Sequence, residues 1–260
     1  MTTALSGKWV LITGASSGFG AAAAAAFGAQ GSRLLLGARR MERLEEAATT
    51  ARAAGAAEAH AHALDVAQTA SVEAFAQWVR GKTNQVDVLI NNAGGAHGLD
   101  PVAKGRDEDW EAMFQSNVLG ILRVTRALLP LMEKNPGSSI INVGSIAGEN
   151  AYEGGAAYCG AKAAERLITQ TLRLELNGTG IRVGSVNPGL AETEFSNVRF
   201  KEDATRAARV YEGTHPLVAQ DIAEALVWVA SRPAHVNIDE IIIKPTDQAA
   251  IHKVFRRREK

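Results

Sequence analysis

Apolar runs and longer amphipathic stretches alternate along the whole chain. Short aliphatic runs, typical of buried strands, fall at Val10–Thr13, Arg33–Ala38, Glu58–Leu64, Val86–Asn91, Ser139–Val143, Arg182–Asn187 and Glu240–Lys244. Stretches of helical composition lie between them: roughly Gly20–Gln30, Arg40–Ala54, Ala70–Lys82, Asp107–Glu133, Gly155–Leu176 and Gln220–Ser231. Repeated strand–helix units predict a parallel sheet covered by helices on both faces. Right-handed crossovers then give an α/β, doubly wound, Rossmann-type sheet of about seven strands. The 260 residues suffice for one large core. The expected organisation is one domain over residues 1–260, with residues 250–260 as a flexible basic tail.

The first strand runs into Thr13-Gly14-Ala15-Ser16-Ser17-Gly18-Phe19-Gly20, and the Ala-rich helix follows at once. Glycine admits a close approach of backbone or phosphate that a Cβ would block. A helix N-terminus offers unpaired N–H groups and partial positive charge to an anion. Gly14, Ser16, Ser17, Gly18, Phe19 and Gly20 are therefore candidates for a pyrophosphate cradle. A tight strand–helix turn would use the same glycines.

The second strand ends in Gly37-Ala38-Arg39-Arg40, with no acidic residue before Glu42. In dinucleotide folds this tip meets the adenosine ribose, where a carboxylate suits a 2′-hydroxyl and an arginine a 2′-phosphate. Arg39 and Arg40 thus point to NADP rather than NAD, the alternative being two solvated arginines. Asp65, followed by Val66 at the third strand's end, can accept from an adenine amino group or cap the next helix. Asn91-Asn92-Ala93-Gly94-Gly95 puts short amides and small residues where the fourth strand ends, which suits crowded backbone beside a ligand. Asn92, Ala93 and Gly94 are the candidates there.

The fifth strand delivers Gly144-Ser145, and Tyr158 and Lys162 follow four apart on one helix face. An ammonium beside a phenol favours phenolate and lowers the tyrosine pKa. The phenol then becomes a usable acid near neutral pH, with Ser145 donating to the substrate oxygen.

Together these residues resemble a short-chain dehydrogenase/reductase of the single-domain branch. The likeness runs from the Thr13–Gly20 turn through Asp65, Asn91–Gly94, Ser145, Tyr158 and Lys162 to Pro188-Gly189. The thirteen-residue step from Ser145 to Tyr158 is the family's. Asn117 falls where the family has a helix-bending asparagine that helps hold a water in a proton relay through the lysine. The resemblance implies a catalytic set of Asn117, Ser145, Tyr158 and Lys162. It implies hydride transfer with NADP, which Tyr158, Lys162 and the Pro188, Gly189 and Thr193 segment help to bind. It also implies a homotetramer paired through the long helices. Phe19 departs from the commoner isoleucine or leucine.

Pro188–Phe200 and Ser231–Ile238 resemble a narrower subgroup, the NADP-dependent 3-hydroxy acid dehydrogenases acting on serine and allo-threonine. A 3-hydroxy acid needs its carboxylate neutralised while its hydroxyl meets Ser145 and Tyr158. Arg199 is the candidate, with Lys201 nearby; both are otherwise solvated loop charges. The alternatives are a reductase of ketoacyl, ketone or sugar substrates, or a non-catalytic NADP-binding regulator.

Composition adds exclusions. The formal net charge of +0 favours neither nucleic acid nor an anionic membrane. No apolar stretch approaches a membrane span, the N-terminus lacks a signal pattern, and the single cysteine, Cys159, fits a reducing compartment. A cytoplasmic enzyme is expected. The histidines form no metal-ligand spacing, and no metal is expected.

Overall fold

A computed structural model describes residues 3–133, 135–200 and 203–257. Lys201 and residues 258–260, which belong to two of the expectations above, lie outside the described residues. Chain order is β1 (Trp9–Thr13), α1 (Gly18–Gly28), β2 (Arg33–Ala38), α2 (Met41–Ala54), β3 (Glu58–Ala63), α3 (Thr69–Lys82) and β4 (Val88–Asn91). Then come α4 (Asp107–Phe114), α5 (Gly120–Met132), β5 (Ser139–Val143), α6 (Ala156–Glu175) and β6 (Arg182–Pro188). The last elements are α7 (Phe195–Arg199), α8 (Ala204–Arg209), α9 (Ala219–Ala230), β7 (Glu240–Ile243), β8 (Gln248–Ala250) and β9 (Lys253–Val254).

Strands β1 to β7 form one sheet in the order β3-β2-β1-β4-β5-β6-β7. Every pairing in it is parallel. β1, β4, β5 and β6 are buried along their whole length, because helices cover both faces. Val10, Ile12, Leu34, Leu36 and Ile90 pack with Phe27, Leu44 and Leu226 from α1, α2 and α9. Leu11, Leu35, Leu89 and Ile140 face the other way, against Phe75, Val124 and Leu128 from α3 and α5. The strand order reverses between β1 and β4, which opens a crevice beyond their C-terminal ends.

Two expectations are corrected. The single helix expected over Asp107–Glu133 is broken by a π-turn at Gln115–Leu119. Buried Asn117 causes the break. Its Nδ2 donates to Met113 O one turn back at 2.8 Å and to Gly95 O at 2.9 Å, so the side chain intrudes on the helical ladder. The expected flexible tail is folded as far as Arg257. β8 and β9 pair antiparallel, and the Arg257 guanidinium donates to both oxygens of Asp247 at 2.6 and 3.1 Å. Arg257 N also donates to Gly213 O, which closes residues 247–257 over the turn after α8. Among the described residues no helix is long and apolar enough to cross a membrane.

Candidate active site

The crevice begins with the glycine turn. Gly14 has φ +67°, and a Cβ there would come within 2.9 Å of both Ala93 Cα and Asn92 Nδ2. A Cβ on Gly20 would strike Gly14 O and lie 2.6 Å from Asn92 Nδ2. The turn is therefore pressed against the end of β4, and polar bonds hold it there. Thr13 Oγ1 accepts from the N–H groups of Asn92 and Ala93, both at 3.0 Å. Asn92 Nδ2 donates to Thr13 O at 2.9 Å and to Gly14 O at 3.2 Å. The Asn92 amide thus shapes the cradle from behind. Its partner Thr13 opens the turn singled out in the sequence but was not among the cofactor-contact candidates.

The start of α1 meets the requirements of an anion site. No side chain caps it and no acid lies in its first turn. Ser17 Oγ, the natural cap, instead accepts from Arg40 at 2.6 Å. Gly18, at φ +52°, leaves only Thr193 nearby, 3.6 Å from where its Cβ would stand. The residues present therefore fit a pyrophosphate group.

At the β2 tip Arg39 is exposed and forms no hydrogen bond or ion pair among the described residues. Arg40 is engaged with Ser16, Ser17 and Glu194, the last at 3.0 Å. Arg43 also reaches Glu194, at 2.6 Å. Burial pushes the Glu194 carboxyl up, but Arg40 and Arg43 outweigh it and hold it below its ordinary range. Asp65 Oδ1 accepts from Ala67 N at 3.0 Å, which pins the turn that carries Val66.

Ser145 stands at the end of β5, and its hydroxyl accepts from Ala147 N at 3.1 Å. Tyr158 and Lys162 lie on the first two turns of α6. Lys162 is 7 % exposed. Its ammonium donates to Val143 O at 2.8 Å and pairs with Glu165 at 3.1 Å. Burial alone would lower its pKa, but Glu165 and the Tyr158 phenol reverse the sign and the lysine stays charged. Gly148 permits the close approach of α6: a Cβ there would meet Lys162 O at 2.8 Å.

Asn117 is fully buried, and its amide is saturated by main-chain partners. Besides the two bonds described above, its Oδ1 accepts from Gly95 N at 3.2 Å. A Cβ on Gly94 would lie 2.5 Å from the same oxygen. The side chain thus clamps the loop after β4 to the π-turn.

Residues 189–200 cross the mouth of the crevice. One end is bonded to β7, with Gly189 N donating to Ile243 O at 2.7 Å. Midway, Glu194 grips Arg40 and Arg43. At the far end Arg199 donates to Gly98 O at 3.1 Å and to the Tyr152 hydroxyl at 2.7 Å. Its guanidinium carbon also lies 5.9 Å from the centre of the Tyr158 ring. Arg199 and Tyr158 line one small pocket with His97, Asp100, Asp109 and Trp110. Burial pushes the Tyr152 hydroxyl up to about 12 against the lowering effect of Arg199, so it stays a protonated donor. Tyr152, Glu165 and Glu194 escaped the sequence reading. Each is engaged by a partner distant in the fold or one helical turn away, and no local motif marks them.

The short chain dehydrogenase profile matches residues 8–204. The NADP-dependent 3-hydroxy acid dehydrogenase YdfG of Salmonella typhi is 43% identical over 249 residues, covering 92% of this chain and 96% of that protein. Sulfoacetaldehyde reductase 2 of Chromohalobacter salexigens is 42% identical over 241 residues, covering 92% and 95%. The closed form of a serine dehydrogenase complexed with NADP+ superposes with a TM-score of 0.89 at 39% identity, over 96% of this chain and 100% of that one. On profile, relatives and fold alike, the chain belongs to the short chain dehydrogenase family.

Proposed function

We propose that the protein is an NADP-dependent oxidoreductase interconverting an alcohol and a carbonyl on a small 3-hydroxy acid such as serine or allo-threonine. The observation that carries this reading is Arg199 beside Tyr158, which sets an anion receiver next to a proton donor. The Arg199 guanidinium and the Tyr152 hydroxyl receive the carboxylate. Ser145 holds the substrate oxygen, and Tyr158 gives it a proton or takes one away, according to direction. Lys162 keeps a positive charge beside the phenol. Asn117 fixes the loop that borders them.

The glycine turn, with Gly14, Ser16, Ser17, Gly18, Phe19 and Gly20, holds the pyrophosphate, and Arg39 with Arg40 receives the 2′-phosphate. Asp65 and Val66 border the adenine. Asn92, Ala93, Gly94, Tyr158, Lys162, Pro188, Gly189 and Thr193 border the nicotinamide half. When bound, NADP supplies or accepts the hydride. The names of the relatives support the cofactor and the substrate class. The enzyme works as a cytoplasmic homotetramer, paired through the exposed leucines of α5 and α6.

A second reading is a small sulfonate. It is favoured by the relative named sulfoacetaldehyde reductase, and by the fact that Arg199 with Tyr152 would accept either anion.

The test is a specificity constant for each of L-serine, L-allo-threonine, a 2-hydroxysulfonate and an uncharged secondary alcohol, with NADP+ and with NAD+. A 3-hydroxy acid with NADP+ should lead. Arg199→Met should lose about tenfold to a hundredfold on that acid and little on the uncharged alcohol, since a charge-assisted bond is worth about 1.5–3 kcal/mol. A sulfonate in first place selects the second reading. No activity on any anion rejects both.

A further inference from the structure

Glu165 has no part in the scheme above, yet it is 1 % exposed and lies against the lysine of the site. A carboxylate is retained at such a depth only with a partner, because its desolvation is otherwise prohibitive. The partner is the Lys162 ammonium, at 3.1 Å from Oε2. The other carboxylate oxygen lies beside Gly144, the residue before Ser145, 3.4 Å from where a Cβ would stand. Tyr158, Lys162 and Glu165 follow at i, i+4 and i+7, so phenol, ammonium and carboxylate line one face of α6. The tyrosine therefore faces a cation that is already paired.

We propose that Glu165 is a positioning residue that sets the charge felt by Tyr158. It offsets much of the Lys162 ammonium, and so keeps the phenol protonated to higher pH than a lone lysine would. That bias favours giving a proton to a carbonyl over taking one from an alcohol. The inference rests on Tyr158 being the proton carrier, as proposed above.

The other charges around the row are accounted for. Arg166, next along α6, is held by Glu149 at 3.2 Å and by Glu240 of β7 at 2.9 Å. Asn187 of β6 donates to the same Glu240, at 2.5 Å. Around Tyr158 stand Arg199 of α7, Tyr152, and the pocket residues His97, Asp100, Arg106 and Asp109. Cys159, a neighbour in α6, has its thiol pushed up by burial. All of these are identical in parent and variant, so a difference between the two reports Glu165 alone.

The experiment is the pH profile of kcat for alcohol oxidation, which needs the phenol deprotonated, with saturating NADP+. Two helical turns separate the phenol and the carboxylate, roughly 10 Å. At an effective dielectric constant of about 20, loss of that charge moves the ascending, acid-side limb down by about one pH unit. Glu165→Gln and Glu165→Met should both show this shift, and Glu165→Asp, which keeps the charge, should restore the parent profile. An unmoved or upward-shifted limb in the neutral variants overturns the proposal. So does failure of both neutral variants to fold, since the carboxylate would then be a counter-ion of the core alone. Tyr158→Phe separates the two readings. If it stays active, the assignment of Tyr158 fails; if it is inactive while the Glu165→Gln limb stays put, only the role of Glu165 fails.

Discussion

Arg39 and Arg40 adjoin in sequence, but only Arg40 is engaged, with Ser16, Ser17 and Glu194. Both are exposed at the β2 tip, but Arg39 has no partner among the described residues, so an incoming phosphate meets it without displacing one. Arg39→Asp should weaken NADP+ binding by more than about tenfold, through one lost charge-assisted contact and one added repulsion. NAD+ binding should hold or improve. Titration of both dinucleotides by protein fluorescence checks this, and equal affinity of the parent for the two would exclude a 2′-phosphate role. The arginine pair was legible in the sequence because the end of a predicted strand fixes its place. The partition of roles between the two was not legible, since it depends on Glu194, 154 residues away.

Among the elements, the glycine turn tolerates little added bulk at Gly14 and Gly20. Gly20→Ala would drive a methyl group into Gly14 O, Ala15 Cα and Asn92 Nδ2, two of which are backbone that cannot swing aside. It should cost about 1–3 kcal/mol of stability and lose more in cofactor affinity. Thermal unfolding with and without NADP+ separates the two: the ligand-induced rise in Tm should largely vanish. All seven strands of the sheet were legible: β1, β4, β5 and β6, buried on both faces, read as continuous apolar runs, and the edge strands β3 and β7 stood out by their place between helical stretches. The break between α4 and α5 was legible only as a bend at Asn117. Its cause is a pair of bonds to Gly95, 22 residues away, which no helical periodicity encodes. α7 and α8 were not legible either. They have five and six residues, too short for a periodic signal, and tertiary bonds such as Arg199 to Gly98 set their positions.

For the molecule as a whole, the homotetramer proposed above would be paired through exposed apolar side chains of its long helices. Leu122 of α5 is 40 % exposed, and Leu167 and Leu174 of α6 are 63 % and 77 % exposed. Burial of these three side chains against a second copy would favour that pairing. Leu167→Lys should convert a tetramer into a smaller species, seen by light scattering during size-exclusion chromatography. A monomeric parent would reject this assembly. The same scale corrects the C-terminus, where Asp247 and Arg257 close a short ribbon over the turn after α8. Composition alone read these basic residues as loose, because their acid partner and the carbonyl of Gly213 come from other segments.

One strip of chain, residues 189–200, grips Arg40 and Arg43 where the adenosine is expected and Tyr152 where the substrate is expected. The two occupants therefore share one door. With the strip down and both ligands seated as proposed, the dinucleotide would not leave past a bound substrate, and a substrate that arrived first would obstruct the dinucleotide's entry. Turnover should follow a compulsory order, dinucleotide on first and off last. NADPH would then be a competitive inhibitor against NADP+, and the carbonyl product would be noncompetitive against it.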